Sequence, residues 1–166
     1  MGRFGAAAIA GAIAGDLAIT IFLVVERALR AHLPLETCLL QLLQWDASNA
    51  YGASAFRGGW RAAAVGQGFD LVVSLCWAAA FTALYAAVPI VRRHTWPWGL
   101  GYGIVVMTVM LYGLVPLGHA TRMHDDLANV LRTLVAHTVF FGVPVALAVR
   151  ATMRSSDVRR DPRSCS

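Results

Sequence analysis

Four stretches of the chain are apolar for long enough to cross a bilayer, at about residues 4–25, 64–91, 99–117 and 127–149. A span needs about 20 mostly apolar residues to cover roughly 30 Å of hydrocarbon. Three of these stretches are interrupted by an ionisable residue: Asp16 in the first, Asp70 in the second and His137 in the fourth. The backbone of a spanning segment must satisfy its own hydrogen bonds, so each stretch is predicted as a helix. The fold class is accordingly all-α, a four-transmembrane-helix bundle filling residues 1–150.

Between the first two spans lies a shorter helix of a different kind. Leu35, Cys38, Leu39, Leu42 and Leu43 fall on one helical face, and Glu36, Thr37, Gln41 and Gln44 on the other. Pro34 suits its first turn. The segment is too short to span and is followed by Trp45 and Tyr51, aromatics that favour a membrane interface. Two placements fit this pattern, an interfacial helix lying on the membrane and a helix folded back onto the end of the bundle.

Composition agrees with the pattern. The 166 residues are 58% hydrophobic and only 14% charged, against about a quarter charged in soluble domains. The first stretch starts like a signal peptide, but apolar residues continue past Asp16 to Val25, which favours a retained span. The net charge of +5 is carried on the basic side by arginine alone, and five arginines lie in residues 150–163. Residues 151–166 read as a disordered basic tail in the cytoplasm. Arginine placement along the loops puts both termini there, in a multi-pass protein of the bacterial inner membrane. No basic face with interleaved aromatics appears in a folded segment, so nucleic acid is not an expected partner. The expected partners are the lipid bilayer and a second copy or another membrane protein.

The polar residues of the spans are spaced at helical intervals. Asp126, Asn129, Thr133 and His137 make one stripe on the fourth span, Gln67, Asp70 and Ser74 another on the second, and Asp16 and Thr20 a third on the first. Ionisable groups at membrane depth face protein or water. The stripes therefore converge inside the bundle. Asp16 and His137 are each about ten residues into their spans, so they are expected to pair near the midplane. Asp70 is expected above them, nearer Asp126 and Asn129, with Arg132 as a further partner.

Several segments together resemble a family of small four-span bacterial inner-membrane proteins without an assigned activity. They are G-x-x-x-G-D at residues 11–16, R-G-G-W at 57–60, A-V-G-Q-G-F-D at 64–70, G-L-G-Y-G-I-V-V at 99–106 and H-T-V-F-F-G-V-P-V-A-L at 137–147. The resemblance implies the architecture and the membrane. It also implies a histidine where this chain has Asp70.

Three functional readings follow. In the first, the polar residues are a structural network in a scaffold or accessory protein that self-associates through Gly11, Gly15, Gly99, Gly101 and Gly103. In the second, Asp16, Asp70 and His137 form a proton or ion pathway or a small transporter. In the third, His119, His124 and Asp125 bind a metal ion at a loop. No cofactor is expected beyond that metal ion, and haem is not expected because only His137 lies clearly within a span. Soluble-enzyme motifs are absent, which leans away from an enzyme. The scaffold and transport readings separate on one observation, a water-accessible cavity reaching the aspartates.

Overall fold

The computed structural model describes residues 2–120 and 126–158, and is helical nearly throughout. Four helices are long and apolar enough to cross a membrane. They are α1 (Arg3–Ala31), α3 (Gly59–Ala87), α4 (Thr95–Leu117) and α5 (Leu127–Ser155), with the shorter α2 (Leu35–Tyr51) between α1 and α3. The last helix continues to Val158, so the start of the segment expected as a disordered tail is helix instead.

The helix ends follow from local chemistry. α1 stops at His32, which takes a left-handed conformation and returns its N–H to the Ala28 carbonyl. α2 stops at Gly52, whose φ of 57° suits glycine best. α3 ends at Ala87 rather than in the expected region of residue 91, because Pro89 holds Val88 in an extended conformation. A short helix, Pro89–Arg93, then leads to α4. α4 starts four residues before the predicted Gly99, since Pro97 is tolerated in a first turn. Asp126 caps α5 by accepting from the Asn129 N–H at 2.7 Å. Asp126→Ala should cost about 1 kcal/mol of thermal stability in detergent, read from the unfolding midpoint.

α1 is the central packing element. It runs antiparallel to α3 and to α5, with Gly11 against Ala78 and Val149, and Gly15 against Val145 and Phe141. α4 approaches α5 still more closely, with Gly99 and Gly103 against the backbone of Gly142 and His137. The glycines expected to mediate self-association are thus used inside the chain, except Gly101, which faces open space. Phe81, Tyr85, Val106, Phe141, Val145 and Val149 form the main core. Ile13, Leu17, Ile21, Val72, Ile104 and Leu131 point outward, the inverse of a soluble helix's pattern.

α2 does not lie apart from the others. It packs across the ends of α1 and α3, with Gly66 of α3 directly beneath Leu43 and Ala47. Gln44, assigned by periodicity to the solvent face, is buried and donates to the Gly59 carbonyl at 3.4 Å, whereas Leu35 is exposed. Of the two placements open to this helix, the structure has the one folded back onto its neighbours.

Candidate functional site

α4 and α5 each contain a π-helical segment, Met110–Leu114 and Ala136–Gly142. Each segment precedes a proline, Pro116 or Pro144, whose ring removes an N–H and crowds the carbonyl four residues back. Widening the helix by one residue per turn relieves that conflict, and such segments recur at functional sites. Here both segments line one cavity. Met110 and Leu111 contribute from α4, and Ala136 and His137 from α5.

The cavity has a volume of about 160 Å³ and lies beneath α2. Its mouth carries Glu26, Arg27, Arg30 and Arg132, and its wall carries Thr20 and Thr133. Asp46, Asp70 and His137 lie along it as well. A smaller recess of about 40 Å³ continues past Asp70, Met110 and His137 to Ser74 and Trp77. Aromatic contacts pack beside the recess. Tyr102 donates to the Trp77 carbonyl at 2.6 Å and meets the Trp77 and Phe81 rings edge-on.

Three carboxyls from three helices lie together here, and two of them, Asp46 and Asp70, line the cavity. Asp70 lines it and lies within hydrogen-bonding reach of Asp16, while the Asp46 carboxyl is near both. Asp16 is 4% exposed, and its Oδ2 accepts from Gln67 Nε2 at 3.1 Å. Its Oδ1 accepts from no N–H or hydroxyl group, which leaves the neighbouring Asp70 carboxyl as the group in reach of Asp16. A buried acceptor in that condition calls for a proton, a water molecule or a cation. Burial raises the Asp46 carboxyl to about 8, and the neighbouring Asp16 charge adds to the rise.

The expected pairing of Asp16 with His137 is not what the structure has. Equal depth placed them together, but Asp16 turns to Gln67, and His137 Nδ1 lies 2.9 Å from the Thr133 carbonyl on its own helix. A carbonyl only accepts, so Nδ1 carries the hydrogen and Nε2 is left as the acceptor on a ring that lines the cavity. Among the described residues no ion pair joins Asp70 to Arg132, although both line the cavity. Asp126 is exposed at its cap, and Arg132 bridges instead to Glu26 on α1 at 3.6 Å and donates to Asn129.

Asp46 is the functional residue that sequence reasoning missed. It follows Leu42 by one turn and Cys38 by two, so it continues the stripe assigned as apolar. A carboxylate extending an apolar stripe was the available signal.

The loop metal site has a different standing. His119 packs beside Gly52, with its N–H donating to the Asn49 carbonyl at 3.1 Å. His124 and Asp125 lie outside the described residues. Among the described residues, no group of three histidine, cysteine or acidic side chains is placed to hold a metal ion. Comparisons with family models, curated proteins and solved structures return no match to this chain.

Proposed function

We propose that this chain is a small multi-pass protein of the bacterial inner membrane. α1, α3, α4 and α5 span the membrane as a bundle around a proton-coupled binding chamber. The bacterial inner membrane follows from the family resemblance, and cytoplasmic termini from the arginines near both chain ends and in the Pro89–Arg93 turn. The chamber mouth under α2 then faces away from the cytoplasm.

The observation that carries this reading is the cavity reaching Asp46 and Asp70, with the buried Asp16 carboxyl within hydrogen-bonding reach of Asp70 behind them. A purely structural network needs its polar atoms paired and its centre dry. Here a chamber large enough for water leads to Asp70, and two buried carboxyls within hydrogen-bonding reach of each other, Asp70 and Asp16, need a proton between them. Asp70 is the group through which a proton passes between chamber and Asp16, since it touches both. A ligand that displaces or supplies that proton is thereby coupled to it.

The test uses the full chain in liposomes that enclose a pH-sensitive dye. An imposed pH gradient should dissipate through the wild type, and Asp70→Asn should slow this by about tenfold or more. Gln67→Glu, which adds a fourth carboxyl beside Asp16, should change the pH at which the rate is half-maximal. Wild-type liposomes that dissipate the gradient no faster than empty ones, with Asp70→Asn merely less stable, would return the polar residues to a structural role.

A further inference from the structure

From the chamber mouth and the groove beside it, we infer that the ligand is a membrane amphiphile with a zwitterionic head, entering sideways between α1 and α5. This rests on the chamber reading above. α1 packs closely on α5 from Ala136 onward but hardly touches Leu127–Val135. The stacked rings of Phe22 and Phe140, 4.2 Å apart, mark where the two helices part. Beyond that stack, the contact that bridges the gap is the Glu26–Arg132 ion pair at 3.6 Å.

Glu26 has two surroundings. On one side it lines the acidic chamber. On the other it ends an apolar groove of about 560 Å³, formed by Ala18, Ile21, Phe22, Val25, Leu29 and Phe140 on the face of the helices turned to the hydrocarbon. The ion pair stands between groove and chamber. At 3.6 Å the pair is longer than a hydrogen bond, and both side chains are partly exposed, so parting them costs little.

The three regions call for three parts of one ligand. The groove takes a hydrocarbon chain. Arg27, which donates to Gln41 at 2.7 Å, and Arg30, which pairs with Glu26 at 3.0 Å, keep further N–H groups at the chamber mouth for an anionic group of the phosphate type, for which guanidinium is well matched. Asp46 and Asp70 take a cationic group, an ammonium, and the buried Asp16 carboxyl beside Asp70 adds a third acidic group behind them. An amphiphile with phosphate and ammonium in its head, as in phosphatidylethanolamine, has these parts in the required order. The ammonium releases its proton to a carboxylate or keeps it, which ties head binding to protonation.

The experiment titrates the detergent-purified full chain with phosphatidylethanolamine, with phosphatidylglycerol and with soluble phosphoethanolamine, reading binding by native mass spectrometry. The wild type should retain phosphatidylethanolamine preferentially. Ala18→Trp, which fills the groove on its lipid side, should weaken that lipid while leaving soluble phosphoethanolamine unaffected. Asp46→Asn should erase the preference over phosphatidylglycerol. If phosphoethanolamine binds as well as the lipid and Ala18→Trp changes nothing, the lateral route is wrong while the chamber stands. Equal retention of both lipids by the wild type overturns the zwitterionic head. If neither lipid nor soluble head binds, and Asp70→Asn leaves proton exchange unaltered, the chamber reading itself has failed.

Discussion

Gly103→Leu should be the most damaging single substitution outside the acidic cluster, lowering the unfolding midpoint in detergent by ~6–12 °C and cutting folded yield. A Cβ at Gly103 falls on the His137 carbonyl, and one at Gly99 meets the Gly142 carbonyl oxygen at 2.8 Å and the Ala146 methyl at 2.9 Å. These neighbours are mostly backbone, so no side-chain rotation makes room and α4 must move off α5. Overpacking a well-filled interior costs about 1–3 kcal/mol, and displacing a helix puts this case at the upper end. For a chain of this size each kcal/mol is worth about 2–4 °C. The control is Gly101→Leu, two residues away, where no atom lies within 4 Å of the added Cβ. If the two variants melt alike, the close approach of α4 and α5 is wrong. Gly103→Leu should also disturb proton exchange in the surviving protein, because the carbonyl it strikes belongs to the π-helical turn that aims His137.

The four long apolar helices were legible because hydrophobic length is a one-dimensional property that the sequence supplies directly. Their ends were read less well where a proline decided the matter: Pro89 broke the second helix before residue 91, while Pro97 allowed the third to begin at Thr95. The polar stripes pointed to the right faces of the helices, since Gln67, Asp70, Ser74, Thr133 and His137 all approach the interior cavities or Asp16. Partners were not legible. Depth fixes only one of the coordinates that decide whether Asp16 meets Gln67 or His137, and the rotation of each helix is set by glycine contacts that no local pattern reveals. α2 kept two placements open for a related reason: which of its faces is buried is decided by Gly66 below it, a contact that periodicity does not reveal. Asp46, which completes the acidic cluster, was missed with it. The π-helical turns have no clear sequence mark beyond the prolines that follow them.

Asp46→Asn should stabilise the protein at pH 8–9 and flatten its pH dependence. The Asp46 carboxyl is raised to about 8 in the folded protein, through burial first and the Asp16 charge second. In the unfolded chain it ionises near its ordinary value, about 3.9. Between these values the folded state holds a proton that the unfolded state has released. Stability attributable to Asp46 is therefore greatest below about pH 4, falls as pH rises towards 8, and is level above that. The full difference is on the order of a few kcal/mol, because each unit corresponds to about 1.4 kcal/mol and relaxation or water entry reduces the sum. Asparagine keeps the size of the side chain and never ionises, so the variant should lose this share of the slope. Unfolding midpoints of wild type and variant, measured in detergent from pH 5 to 9, should converge at the acidic end and separate at the alkaline end. Parallel curves would mean that Asp46 is already ionised at neutral pH and is solvated by the chamber. The same window bears on function, since a carboxyl that changes charge near pH 8 at the chamber wall makes ligand affinity depend on pH. Binding of a cationic head should strengthen as pH rises towards 8 in the wild type, opposite in sign to the stability trend, and the Asn variant should lack that increase.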